Sequence, residues 1–191
     1  MAIRNDDTGR QTLSRHRILV YLFISLGLTA MCGLSYGKEV TYRQHGPHVH
    51  GVAQLNIAQD GDTLVLELQS PAINMLGFEH FPTNTKQRQV VAHAIAILQN
   101  AQPLFVLAPA AGCQLQKVDV DTPLIGKVRK LEHTDLNASY RFQCHAVTAL
   151  DTISVNLFRK FPSIKAINVQ MLTDKGQSAT RLTAQDTIID F

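Results

Sequence analysis

The stretch that decides the fold runs Val49-His50-Gly51-Val52-Ala53-Gln54-Leu55-Asn56-Ile57-Ala58-Gln59-Asp60-Gly61-Asp62-Thr63-Leu64-Val65-Leu66-Glu67-Leu68. From Val49 to Ile57 the apolar residues Val49, Ala53, Leu55 and Ile57 take odd positions, while His48, His50, Gln54 and Asn56 take even ones. A period of two sends alternate side chains to opposite faces, as in a half-buried strand. Asp60-Gly61 is a favoured pair for a two-residue hairpin turn, and Leu64, Leu66 and Leu68 resume the alternation beyond it. Counting outward from that turn sets Ile57 against Leu64, Leu55 against Leu66 and Ala53 against Leu68, so both strands bury one face. The same register sets Asn56 against Val65 and Gln54 against Glu67 on the other face. His48 and His50 lie beyond them, at the end away from the turn and off the main apolar face.

Downstream, Pro71 stops the second strand, and Ala72 to Pro82 forms a connection holding Gly77, Phe78, Glu79 and His80 that starts beside the histidine end. Asn84 followed by Gln87 resembles a capping box, and Val90, Val91, Ala94, Ile95, Ile97 and Leu98 recur at helical spacing, which predicts one amphipathic helix ending near Asn100. After Pro103 and Pro109, strands are expected at Leu115 to Val120, Tyr140 to Val147, Thr152 to Asn156, Ala166 to Leu172 and Thr187 to Asp190. A hairpin turn is expected at Asp174-Lys175-Gly176-Gln177, and Asp121 to Asn137 is the longest polar connection. The expected fold class is α+β: a single domain with a largely antiparallel β-sheet and one main amphipathic helix packed on it.

At the amino terminus Arg10, Arg15 and Arg17 precede the apolar run Ile18 to Leu28, and Ala30, Gly33, Ser35 and Gly37 supply small residues after it. These are the three regions of a secretory signal peptide, expected over residues 1–37, with the mature domain covering 38–191. The apolar run falls well short of the roughly 20 residues a spanning helix needs, so no stable membrane span is expected in the mature chain. Met31 ahead of Cys32 argues against lipidation, since lipoprotein signals place a small residue there.

The whole chain has 191 residues, 45% hydrophobic and 17% charged, with a formal charge of +3 and no Trp. That composition supports one folded core and excludes a disordered chain. A small net charge with few aromatic residues gives no basic stacking surface, so nucleic acid is not an expected partner. The mature part keeps Cys113 and Cys144, an even pair in an exported chain, from which a disulfide is inferred.

The densest run of possible ligands is His45-Gly46-Pro47-His48-Val49-His50-Gly51. On a strand, residues two apart face the same way with Cα atoms about 6.6 Å apart, a span two imidazoles can bridge to one ion about 2.0 to 2.1 Å from each nitrogen. His48 and His50 fit that spacing, and His45 either turns back through the Gly-Pro bend as a third ligand or trails in solvent. Zinc suits these donors, and copper or nickel would accept them too. His80 is the best fourth donor. Glu79 either ligates or accepts the outer N–H of a ligating imidazole. His93, His133 and His145 are auxiliary at best. Against the whole reading stands the plain one, in which histidines beside Gly and Pro are ordinary surface residues.

Taken in order, the leader, the run from His45 to Ala53, Ser70-Pro71-Ala72, Gly77-Phe78-Glu79-His80 and Ala111-Gly112-Cys113 resemble the ZrgA-like family of periplasmic zinc-binding proteins. The resemblance continues through Phe142-x-Cys144, Leu157-Phe158-Arg159-Lys160-Phe161-Pro162, and Gly176-Gln177 followed by Leu182. It implies a periplasmic protein of Gram-negative bacteria that binds zinc and assists its acquisition beside an ATP-driven importer and its periplasmic binding protein. The family's histidine motif falls on His45, His48 and His50, its Gly-Phe-Glu-His motif on Glu79 and His80, and its cysteines on Cys113 and Cys144. One departure is plain: the long His/Asp-rich loop of many such proteins is reduced here to His133 with Asp121, Glu132 and Asp135, so one compact site is expected rather than a multi-zinc store.

Three functions compete at this point. A non-enzymatic zinc-binding accessory protein would hold the ion with neutral imidazoles and surrender it as pH falls through about 6.5. A zinc-dependent hydrolase would leave an open position for water, with Glu79 as general base. A structural or partner-binding envelope protein would carry its histidines incidentally.

Overall fold

The computed structural model describes residues 49–125 and 134–191. The expected leader, Cys32, His45, His48 and His133 lie outside the described residues.

The hairpin forms, with β1 at Val52–Asp60 and β2 at Thr63–Pro71. Its register differs by two residues from the one expected: Asp60 pairs with Thr63, Ile57 with Leu66 and Leu55 with Leu68, while Asn56 faces Glu67 and Gln54 faces Gln69. The turn therefore centres on Gly61-Asp62 rather than Asp60-Gly61. Gly61 has φ +53°, and no described non-glycine residue has positive φ. Positive φ at the first central residue alone is the type II′ pattern, whereas a turn centred on Asp60-Gly61 as type I′ would force Asp60 into the left-handed region. A shift of two preserves the face of every side chain, so the face expected to be apolar is the one that is buried. Ala53, Leu55, Ile57, Leu64, Leu66 and Leu68 are all buried.

The hairpin sits at the centre of a six-stranded sheet, ordered β4-β5-β2-β1-β7-β8. Here β4 is Gln114–Asp121, β5 Asp135–Gln143, β7 Ala166–Thr173 and β8 Gly176–Leu182. The expected antiparallel character holds, except that β1 and β7 pair in parallel. The expected strand from Tyr140 begins earlier, at Asp135, and stops at Gln143. A second sheet, β3-β6-β9, is made by Phe105–Leu107, Thr152–Val155 and Ile188–Asp190.

Among the described residues three α-helices join these strands: α1 at Ala72–Leu76, α2 at Thr85–Gln99 and α3 at Leu157–Lys160. The main one, α2, starts as its sequence indicates, with the Asn84 side chain accepting from the Gln87 N–H at 2.9 Å. Gln87 Oε1 in turn accepts from Thr83 N–H at 2.8 Å, closing the cap one residue further out than a standard capping box. Val91, Ala94 and Leu98 of α2 enter the same apolar core as the inner face of the large sheet and the residues Phe105, Ile153, Val155 and Ile189 of the small one. No described helix is long and apolar enough to cross a membrane.

Tyr140 ties these layers together. It is fully buried, its hydroxyl donates to the Leu98 carbonyl at 2.9 Å, and its ring meets Phe105 edge-on at 5.0 Å. Burial pushes its hydroxyl pKa well up, because the phenolate would lose its water. The folded state therefore keeps a proton that the unfolded chain releases above about pH 10, and stability falls with rising pH beyond that point. Below pH 10 the contribution is fully present. Urea unfolding at pH 9 and pH 11 should show this loss, and Tyr140→Phe should reduce it; equal losses in the two proteins would contradict the assignment.

Candidate metal centre

The site is built where three chain segments converge at the start of β1. The first is a turn. Val52 N–H donates to the Val49 carbonyl at 3.0 Å, and Gly51, with φ +82°, has the third-position conformation of a type II turn. This corrects the expected strand from Val49: β1 begins at Val52, and His50 stands on the turn ahead of it. The same-face argument for residues two apart on a strand therefore does not apply to His50. The Gly51 N–H goes to the Asn74 side chain at 2.6 Å, and the Gly51 carbonyl accepts from Lys165 and Ala166 N–H, so the turn is fastened to α1 and β7 together. Glycine is needed here twice over, since a Cβ would be strained at that φ and would stand 3.2 Å from Lys165 Cγ.

The second segment is α1 with the residues after it. Gly77, left-handed at φ +81°, caps α1 by donating to the Ile73 carbonyl, and the chain then turns through Phe78, Glu79 and His80. The third is Thr134, buried just ahead of β5, whose hydroxyl donates to the Glu79 carbonyl at 3.0 Å.

Together these segments bring His50 and Glu79 side by side. His50 Nε2 lies 3.6 Å from Glu79 Oε1, with the imidazole 64% exposed and the carboxylate 21% exposed. That separation is too long for a hydrogen bond. Two donors bound about 2.0 to 2.2 Å from one tetrahedral zinc stand roughly 3.3 to 3.5 Å apart, so the pair is spaced close to one edge of a coordination tetrahedron.

His80 is oriented separately. Its Nδ1 lies 2.9 Å from the Phe81 carbonyl, and its ring stacks on Phe78 with centroids 5.1 Å apart. A carbonyl only accepts, so Nδ1 carries the hydrogen, and in the neutral ring this leaves the lone pair on Nε2, the arrangement found in metal-ligating imidazoles held by a backbone partner. His80 is not gathered with His50 and Glu79 into a cluster: among the described residues no group of three or more His, Cys, Asp or Glu is placed to hold a metal ion. Of the five predicted ligands, the described residues thus pair two, orient a third and exclude His45 and His48 from view. The donors present are an imidazole nitrogen and a carboxylate oxygen, a set that fits zinc.

The remaining predicted features lie elsewhere. Cys113 and Cys144 form a disulfide that joins the start of β4 to the end of β5. His93 and His145 are exposed. A shallow groove of about 780 Å³ runs along Asn56, Ala58, Glu67, Gln170, Leu172 and Gln177, and it contains none of the predicted ligands. The sequence reading missed Asn74 and Thr134. Asn74 carried a usable signal, being the lone polar residue of Ala72-Ile73-Asn74-Met75-Leu76.

Compared with models of known families, residues 47–191 match the one described as ZrgA family zinc uptake protein. A comparison with curated proteins gave no match.

Proposed function

The chain belongs to the ZrgA family of zinc uptake proteins, and from that membership we propose that it is a non-enzymatic zinc-binding accessory protein, working outside the cytoplasm to assist zinc acquisition. Zinc is its cargo. In this reading His50 and Glu79 form one edge of a single site, completed from His45 and His48, with His80 joining only if its loop closes on the ion. His48 is two residues from His50, so their Cα atoms are at most about 7 Å apart by chain geometry alone. The observation that carries the proposal is the 3.6 Å spacing of His50 Nε2 and Glu79 Oε1. The disulfide supports an oxidising compartment. The exposure of His50 suits a site from which an importer or its periplasmic binding protein takes the ion by ligand exchange.

The chemistry follows from the donors. Neutral imidazole binds the ion and protonated imidazole cannot, so capture is favoured at neutral pH and acidification releases the ion. Titrating zinc into the mature protein against a competing chelator at neutral pH should give about one equivalent bound, lost on acidification. Absence of uptake would overturn the proposal. Hydrolysis of an ester or peptide probe that a chelator abolishes would replace it with the hydrolase reading.

A further inference from the structure

Two buried polar side chains join the segments that carry His50 and Glu79, and neither is accounted for by a ligand role. Asn74 is 3% exposed and Thr134 is 1% exposed. Asn74 Oδ1 accepts from the Gly51 N–H at 2.6 Å, while Nδ2 donates to the Val52 carbonyl and to Ser70 Oγ, each at 3.1 Å. One amide thus grips the backbone immediately after His50 through both of its polar ends. Its helix α1 ends at Leu76, and the capping Gly77 leads directly to Phe78 and Glu79. Thr134 works from the opposite side. Its hydroxyl donates to the Glu79 carbonyl at 3.0 Å, and its own carbonyl accepts from the Ala72 N–H at 2.7 Å, so it holds both the start of α1 and the loop that follows it.

We propose that Asn74 and Thr134 are the positioning residues of the zinc site, Asn74 setting the His50 turn and Thr134 the Glu79 backbone, so that the two donors stand at coordination spacing before the ion arrives. This rests on the reading of His50 and Glu79 as zinc donors. Asn74 bonds the backbone of Gly51 and Val52, the two residues that follow His50, and Thr134 bonds the Glu79 carbonyl itself; fixing the chain at those points fixes the side-chain origins. Polar groups that orient metal ligands without touching the metal typically change affinity 10- to 100-fold.

The test uses the mature protein and three variants, Asn74→Ala, Thr134→Val and Tyr140→Phe, with zinc affinity read by chelator competition. Tyr140→Phe also deletes a buried hydrogen bond, to the Leu98 carbonyl, which involves none of the residues that bond the His50 turn or the Glu79 backbone. It therefore reports what loss of stability alone does. Asn74→Ala and Thr134→Val should weaken zinc binding about tenfold or more, and Tyr140→Phe should bind as the wild type does. With cobalt(II) in place of zinc, the visible absorption of the bound ion should change in the first two variants and not in the third. Thr134→Val keeps the side-chain shape and decides the matter if Asn74→Ala does not fold. Wild-type affinity and an unchanged cobalt spectrum in Thr134→Val would overturn the positioning role. If His50→Ala and Glu79→Ala lose zinc while Thr134→Val and Asn74→Ala keep it, the positioning role alone fails. If the wild type takes up no zinc, or His50→Ala and Glu79→Ala bind as it does, both proposals fall.

Discussion

Removing the Cys113–Cys144 disulfide, by Cys113→Ser with Cys144→Ser, is expected to lower the free energy of unfolding by roughly 3 to 4 kcal/mol. The bond joins residues 31 apart in sequence. In the chain-entropy account a cross-link of that span restricts the unfolded chain by about this amount. The native structure gives the effect a location. Among the described residues β4 is an edge strand, paired with β5 alone, and the two cysteines sit just outside the Gln114–Gln143 pair that ends their ladder. Around the bond, Cys144 N–H donates to the Asp62 carbonyl, and His145 and Ala146 N–H both donate to the Ala111 carbonyl. Without the cross-link β4 should fray first, because its own pattern offers little apolar burial and its interior residues Lys117 and Asp119 point to solvent. Urea unfolding of the variant against the wild type measures the loss, and hydrogen exchange should show the greatest gain in β4. A difference below about 1 kcal/mol would contradict the expectation.

The second large effect is on metal affinity. His50→Ala or Glu79→Ala should each weaken zinc binding by more than about 100-fold, the upper end of what substitutions outside the first coordination sphere cost. Because the two donors share one ion, the double variant should lose much less than the sum of the two free-energy losses. His93→Ala and His145→Ala, which alter exposed imidazoles elsewhere on the surface, should bind as the wild type does. Additive losses from His50→Ala and Glu79→Ala would mean that they do not act on the same ion.

Much of the fold was legible because the decisive stretch alternates so regularly. Leu55, Ile57, Leu64, Leu66 and Leu68 carry the central hairpin through the core, and a two-residue error in register leaves their facing unchanged. The helix was legible for a similar reason, with Asn84 and the Val91, Ala94 and Leu98 stripe marking its start and its buried side. The parallel pairing of β1 with β7 was not legible. A strand's own residues record which side is buried and say little about which distant strand lies beside it. The small β3-β6-β9 sheet was hidden likewise, since Phe105–Leu107 is too short to show a period.

At the site, residue types were readable and their geometry was not. Proximity of Glu79 to the histidine end followed from where the β2 strand stops, and the 3.6 Å spacing agrees with it. The expectation that His50 lies on a strand failed because Gly51 turns the backbone to φ +82° and gives its N–H to Asn74. A periodicity argument reads side chains only, so it is blind to a backbone bond made 23 residues away.

The central claim is that His50 and Glu79 hold the same zinc ion. Its most direct test is a crystal structure of the zinc-loaded mature protein with anomalous diffraction data at the zinc edge. One peak about 2.0 to 2.2 Å from both His50 Nε2 and Glu79 Oε1 is the predicted result. A fully occupied zinc bound elsewhere, with both of those atoms beyond bonding distance, would contradict the account.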